Sequence, residues 1–219
     1  MEVVARINQA KYDVFRWRYG LSIPKKLTLA FGMACLVGLL AQVRIVVPWS
    51  PVPVTGQTFA VLLAAVLLGR WWGGISIATY VGLGVLGVPW FTGFNSGLTY
   101  LAGPTGGYII GFILAAFFLG HLTDKYVRAR SFFSMTGLML FANFILVFIP
   151  GLIQLGLWLR LVGGETVTLA ALLSMGLLPF IAGDVVKVIL AAVITRGVTP
   201  KAAFNGETDE GKWAGWRVP

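Results

Sequence analysis

"PFIAGDVVKVILAAVITR", residues 179–196, is the stretch whose reading decides the fold. Apart from Asp184, Lys187 and the closing Thr195 and Arg196, nothing in it is polar. Eighteen residues of α-helix span about 27 Å, close to the roughly 30 Å hydrocarbon core of a bilayer. An ionisable side chain at membrane depth costs at least about 2.5–3.5 kcal/mol on insertion scales, so it usually faces a partner or a wet cavity. Pro179 suits the first turn of a helix, where its missing N–H is not needed. Asp184 and Lys187 then lie some 7–12 Å below the helix start. Their spacing of three places them on one face. They form either a self-neutralising pair that pins the helix or an acceptor and a donor presented to a ligand. The second reading is favoured, because intramembrane charges mark functional sites by default.

The rest of the chain agrees that the solvent is lipid. Apolar residues make up 58% of the 219 and charged residues only 11%, against about a quarter charged in a soluble domain. Between Trp71 and Gly120 there is no Asp, Glu, Lys or Arg. The formal charge of +9 comes from scattered flanks, with no basic stripe of the kind a nucleic-acid face needs. One cysteine and one histidine exclude a disulfide within the chain, a metal cluster and a Cys/His dyad. "GLGVLG" (82–87) matches a dinucleotide fingerprint but lacks the strand and βαβ unit that would make it one. No phosphate-binding P-loop motif occurs, so no nucleotide hydrolysis of that kind is expected of this chain. Nucleic acid, metal and cofactor chemistry are therefore not expected, and neither is an enzyme.

Six spanning helices are expected: 27–47, 54–68, 73–87, 105–122, 132–149 and 179–195. The fifth stops before the Pro-Gly pair at 150–151. The stretch 152–178 reads as a re-entrant or surface segment carrying one short helix near 169–175. Every basic residue of the 17 except Arg44, Arg160 and Lys187 falls in the termini or in loops on one side, which puts both termini in the cytoplasm. The organisation is thus a basic N-terminal segment (1–26), a six-helix membrane domain (27–196) and a cytoplasmic tail (197–219). Val3, Ile7, Ala10, Val14, Trp17 and Leu21 recur at helical spacing, as in a helix lying on the membrane surface or in a partner's groove. The outer loops 47–59 and 87–108 and the 150–178 connection are rich in Pro, Gly, Thr and aromatics, with little charge. Such loops suit capping of a ligand cavity better than facing water.

Four more positions carry polar chemistry at that outer end. Gln57 in "VPVTGQTF" offers an amide donor and acceptor, or snorkels beside a Thr55 that caps the helix. Asn95 in "TGFNSGLTY" is either a turn residue or a ligand contact. "GPTGGYIIG" places Thr105 and Tyr108 at a helix start, where free N–H groups attract an anion or a carbonyl oxygen. Gly107 and Gly111 there also match the small-xxx-small pattern of close helix packing. Ala30 and Ala34 repeat that pattern in the first span, where a helix of another subunit could dock.

Taken together, "VPVTGQTFAVLLAAVLLG", "GPTGGYIIGFILAA" and "PFIAGDVVKVILAA", in that order, resemble BioY, the biotin-specific substrate-binding (S) subunit of energy-coupling factor (ECF) transporters. The likeness runs from Leu27 to Thr195, leaving the N-terminal 26 residues and the tail outside it. It implies an all-α polytopic fold in a prokaryotic cell membrane, with a biotin site near the outer face. It also implies a transmembrane coupling protein and two ABC ATPases as partners, with ATP bound only by the latter. The family's biotin contacts fall on Gln57, Asn95, Asp184 and Lys187, with Thr105 to Tyr108 nearby. Its coupling-protein contact falls on Ala30 and Ala34. The alternatives are an S subunit for another vitamin, a stand-alone secondary carrier, or an intramembrane enzyme using Asp184 as proton carrier. The last lacks a second intramembrane acid, a nucleophile or a metal set.

Overall fold

A computed structural model of the chain describes residues 2–164 and 167–200. The expected C-terminal tail lies outside the described residues from position 201 onward. In chain order the elements are α1 (Glu2–Gly20), α2 (Ile23–Gln42), the two-residue strands β1 (Arg44–Ile45) and β2 (Val54–Thr55), and α3 (Gln57–Val85). There follow α4 (Leu98–Leu101), α5 (Gly106–Lys125), a 3₁₀ turn (Arg128–Arg130), α6 (Phe132–Phe141), a π-turn (Ala142–Val147) and α7 (Phe148–Val162). The short α8 (Leu169–Gly176) and the long α9 (Leu178–Val198) complete the described chain. The fold is mostly helical, and among the described residues five helices are long and apolar enough to cross a membrane: α2, α3, α5, the continuous run from α6 to α7, and α9. β1 and β2 pair antiparallel, setting Arg44 opposite Thr55.

α3 is not one rod. Gly69 has φ +78° and ψ −173°, a region essentially reserved for glycine. In an unbroken helix Gln57 and Tyr80 would stand about 35 Å apart. Instead Gln57 Nε2 donates to Tyr80 Oη at 2.8 Å, so the chain doubles back at Gly69. A hairpin of two helical arms, 57–68 and 70–85, results. Those arms match the expected second and third spans, and both are shorter than the roughly 20 residues of a full crossing.

The expected end of the fifth span at Ile149 is corrected. The helix continues through Pro150 and Gly151 to Val162. Proline removes one backbone donor and crowds the carbonyl four residues earlier. The π-turn at Ala142–Val147 immediately precedes it, and such local adjustments let a membrane helix absorb proline. The rest of the supposed surface segment holds α8, close to the short helix expected there.

The N-terminal segment makes a contact that the sequence did not show. α1 docks through Phe15 and Arg18, which are buried, and leaves Ile7, Val14 and Trp17 exposed. The cause lies at the Gly69 turn, where two helix ends meet and leave backbone groups unsatisfied. Arg18 donates to the carbonyls of Val66 (2.9 Å) and Leu67 (2.7 Å) and pairs with Asp124 at 2.5 Å. Asp124 in turn accepts from the Arg70 amide at 2.8 Å and from Tyr19 Oη at 2.7 Å. Burial pushes the Tyr19 phenol up to about 12, despite Arg18 pulling it down, so it remains a donor at ordinary pH. The charged face docks because it has carbonyl ends to cap, and the apolar face stays exposed.

Ala30 and Ala34 are corrected as an outer docking surface. They are 1% and 0% exposed and belong, with Val37, Gly38 and Ala41, to the inward face of α2. Small residues at that spacing let two helices approach closely, and the neighbour here is the protein's own α3. The outward face of α2 carries Leu27, Phe31 and Leu39 instead.

Candidate ligand site

At the end of the molecule opposite the Gly69 turn, α3, α5, α7 and α9 enclose a cavity of about 40 Å³. Its polar wall is Thr55, Gln57, Thr58, Thr105, Asp184 and Lys187, and its apolar wall includes Tyr108, Phe112, Phe148 and Phe180. Asp184 and Lys187 are the charged residues in this lining. They form an ion pair across one turn of α9, as their spacing predicts. They are not locked solely on each other. Asp184 Oδ2 accepts from Asn143 Nδ2 at 2.8 Å, and Oδ1 accepts a long bond of 3.5 Å from Thr58. Lys187 Nζ donates to the Thr55 carbonyl at 2.8 Å. The β1–β2 pairing fixes that carbonyl in place.

Of the other expected site residues, Gln57 is the most heavily used by the protein itself. Its Oε1 accepts from Thr55 (2.9 Å) and Thr92 (3.2 Å), while its Nε2 holds Tyr80. Tyr108 donates to the Gly176 carbonyl at 2.8 Å and sets its ring among Phe148 and Phe180. Thr105 lines the cavity with its hydroxyl buried and without a hydrogen-bond partner. Asn95 is not brought to this cavity. It bonds the Thr92 carbonyl at 2.8 Å and lines a wider outer vestibule of about 470 Å³. Pro53, Thr92, Tyr100 and Thr105 border both spaces. Arg44 also faces the vestibule.

Sequence reasoning missed three participants. Asn143 is 1% exposed in a run of apolar residues, and a lone buried amide was the signal. Thr58 stands one position beyond Gln57 and gave none. Gln42 organises the outer loop: Nε2 donates to the carbonyls of Trp90 (3.2 Å) and Phe91 (3.1 Å), and Oε1 accepts the Gly93 and Phe94 amides, both at 3.1 Å. Phe91 is buried between Tyr80 and Tyr100, Trp90 packs on Tyr80 and Trp49 is exposed, while Phe112, Phe148 and Phe180 form the wall.

A helical membrane protein with a charged pair at the floor of an apolar-walled cavity has the build of a small-molecule binding or transport protein. The model of the BioY family matches residues 10–204, and the chain belongs to that family. The match takes in the second half of α1, which the sequence likeness had left outside. The "Probable biotin transporter BioY" of Methanothermobacter thermautotrophicus is 52% identical, over 72% of this chain and all of the relative. The "Biotin transporter BioY" of Thermotoga maritima is 36% identical over 68% of this chain and 81% of the relative. Among solved structures, the S-component for biotin from an ECF-type ABC transporter superposes with a TM-score of 0.70. It is 30% identical and covers 80% of this chain and 93% of its own.

Proposed function

We propose that this chain is the substrate-binding subunit of an ECF-type importer and captures biotin at the outer face of a prokaryotic cell membrane. The observation that carries the reading is the Asp184–Lys187 pair, fastened from two other elements and facing the aromatic cavity of a BioY-family chain. Biotin presents two ureido N–H donors and a carbonyl, an apolar thioether ring and a carboxylate. Asp184 accepts from a ureido N–H, Lys187 or the Thr105 hydroxyl serves the carbonyl, and Tyr108, Phe148 and Phe180 pack on the ring. The carboxylate end points to the vestibule, where Arg44 and Asn95 meet it.

The same reading gives six crossings with both termini cytoplasmic, the α3 hairpin counting as two. The outer loops cap the cavity. A membrane coupling protein and two ABC ATPases supply the energy of release. Titration calorimetry of the purified chain is expected to show saturable biotin binding. No heat with biotin, alongside saturable binding of another vitamin, would reassign the ligand.

A further inference from the structure

We infer that Asn143 is a positioning residue for ligand capture, acting through Asp184 and set in place by the π-turn. The inference rests on the reading of the Asp184–Lys187 cavity as the biotin site. Asn143 donates through Nδ2 to Asp184 Oδ2 at 2.8 Å, from a helix that otherwise offers the pair nothing polar. Its own Oδ1 is buried without a partner. Reversing the amide would set that oxygen against the carboxylate oxygen, acceptor on acceptor, so the orientation is dictated by Asp184. A buried acceptor without a donor is unfavourable, and native structures rarely keep one without reason. Here the return is a carboxylate with Oδ2 fixed and Oδ1 turned to Lys187 and the cavity.

The backbone supports the assignment independently. In a regular α-helix Asn143 and Phe148, five residues apart, would point about 140° away from each other around the axis. A π-turn closes i to i+5 and brings such residues toward the same side. The π-turn spans Ala142–Val147, so one helix presents Asn143 to the carboxylate and Phe148 to the cavity wall. π-turns inside α-helices occur frequently at functional sites.

A double-mutant cycle tests this, with biotin titrated into purified protein up to millimolar concentration. Asn143→Leu keeps the branched shape and removes the donor; it is expected to weaken biotin binding at least tenfold. Asp184→Ala should weaken it further, and Asn143→Leu combined with Asp184→Ala should bind within twofold of Asp184→Ala alone, because Asn143 has no acceptor left to act through. A structural role would instead multiply the two losses. Asn143→Ala serves in the same cycle should the leucine variant fail to fold. Native affinity in the Asn143 variants, or multiplying losses, overturns the inference. A native chain that ignores biotin overturns the site reading beneath it, and that result is read before any substitution.

Discussion

Under the proposed function Asp184 and Lys187 serve both stability and capture, and substitutions separate the two. Lys187→Ala leaves a buried carboxylate short of its cation and is expected to cost about 3–5 kcal/mol of stability. Replacing both together, Asp184→Leu with Lys187→Met, removes the charges and their desolvation cost. That double variant should melt above Lys187→Ala, though below the native chain because Asn143 loses its acceptor, while losing biotin binding, read by thermal denaturation and calorimetry on the same sample. At the mouth, Arg44→Ala should weaken biotin binding severalfold and leave binding of biotin amide, which lacks the anion, nearly unchanged. The charged pair was legible in the sequence because membrane charges are expensive and therefore conspicuous. Asn143 was not, since an amide is cheaper to bury and its partner lies 41 positions away. Ala30 and Ala34 showed their packing chemistry in the sequence but not which helix they pack on.

Gly69 and α1 depend on each other. Gly69→Ala would force a side chain into a backbone region costing about 1–3 kcal/mol. Its Cβ would also collide with the Asp124 carboxylate. Arg18→Ala strips two carbonyl caps and an ion pair at once and should cost about 3 kcal/mol. Both variants should lower the melting temperature in detergent without changing biotin affinity, because the cavity lies at the other end of α3. The hairpin was legible, since "LLGRWWGG" interrupts the apolar run where the chain turns. The face of α1 was not, because an apolar stripe says which side avoids water and nothing about unsatisfied carbonyls elsewhere. Pro150 misled for a similar reason: its effect depends on the π-turn before it, which leaves no mark in composition.

Viewed end to end, the molecule is an apolar barrel of helices with a polar knot at each pole. Composition alone exposed that arrangement, for a chain with 11% charged residues must place nearly all of them at the ends. What it could not expose is how tightly the outer pole is shut. A space of about 40 Å³ is hardly more than a water molecule's share of liquid volume, while ligand sites run to about 300–1,000 Å³. Binding therefore requires the walls shared with the vestibule to part. Association should be slower than about 10⁵ M⁻¹s⁻¹, the lower end for unhindered encounters, as stopped-flow tryptophan fluorescence would measure. Gln42→Ala, which frees the Trp90–Phe94 loop, should quicken both entry and escape.

The clasp on α1 has a consequence for how the chain is made. Arg18 precedes its receptors Val66, Leu67 and Asp124 by 48, 49 and 106 positions. α1 therefore waits, undocked, until Asp124 has been made. Nascent chains halted before Asp124 should leave it open to protease, and chains halted well past that point should protect it.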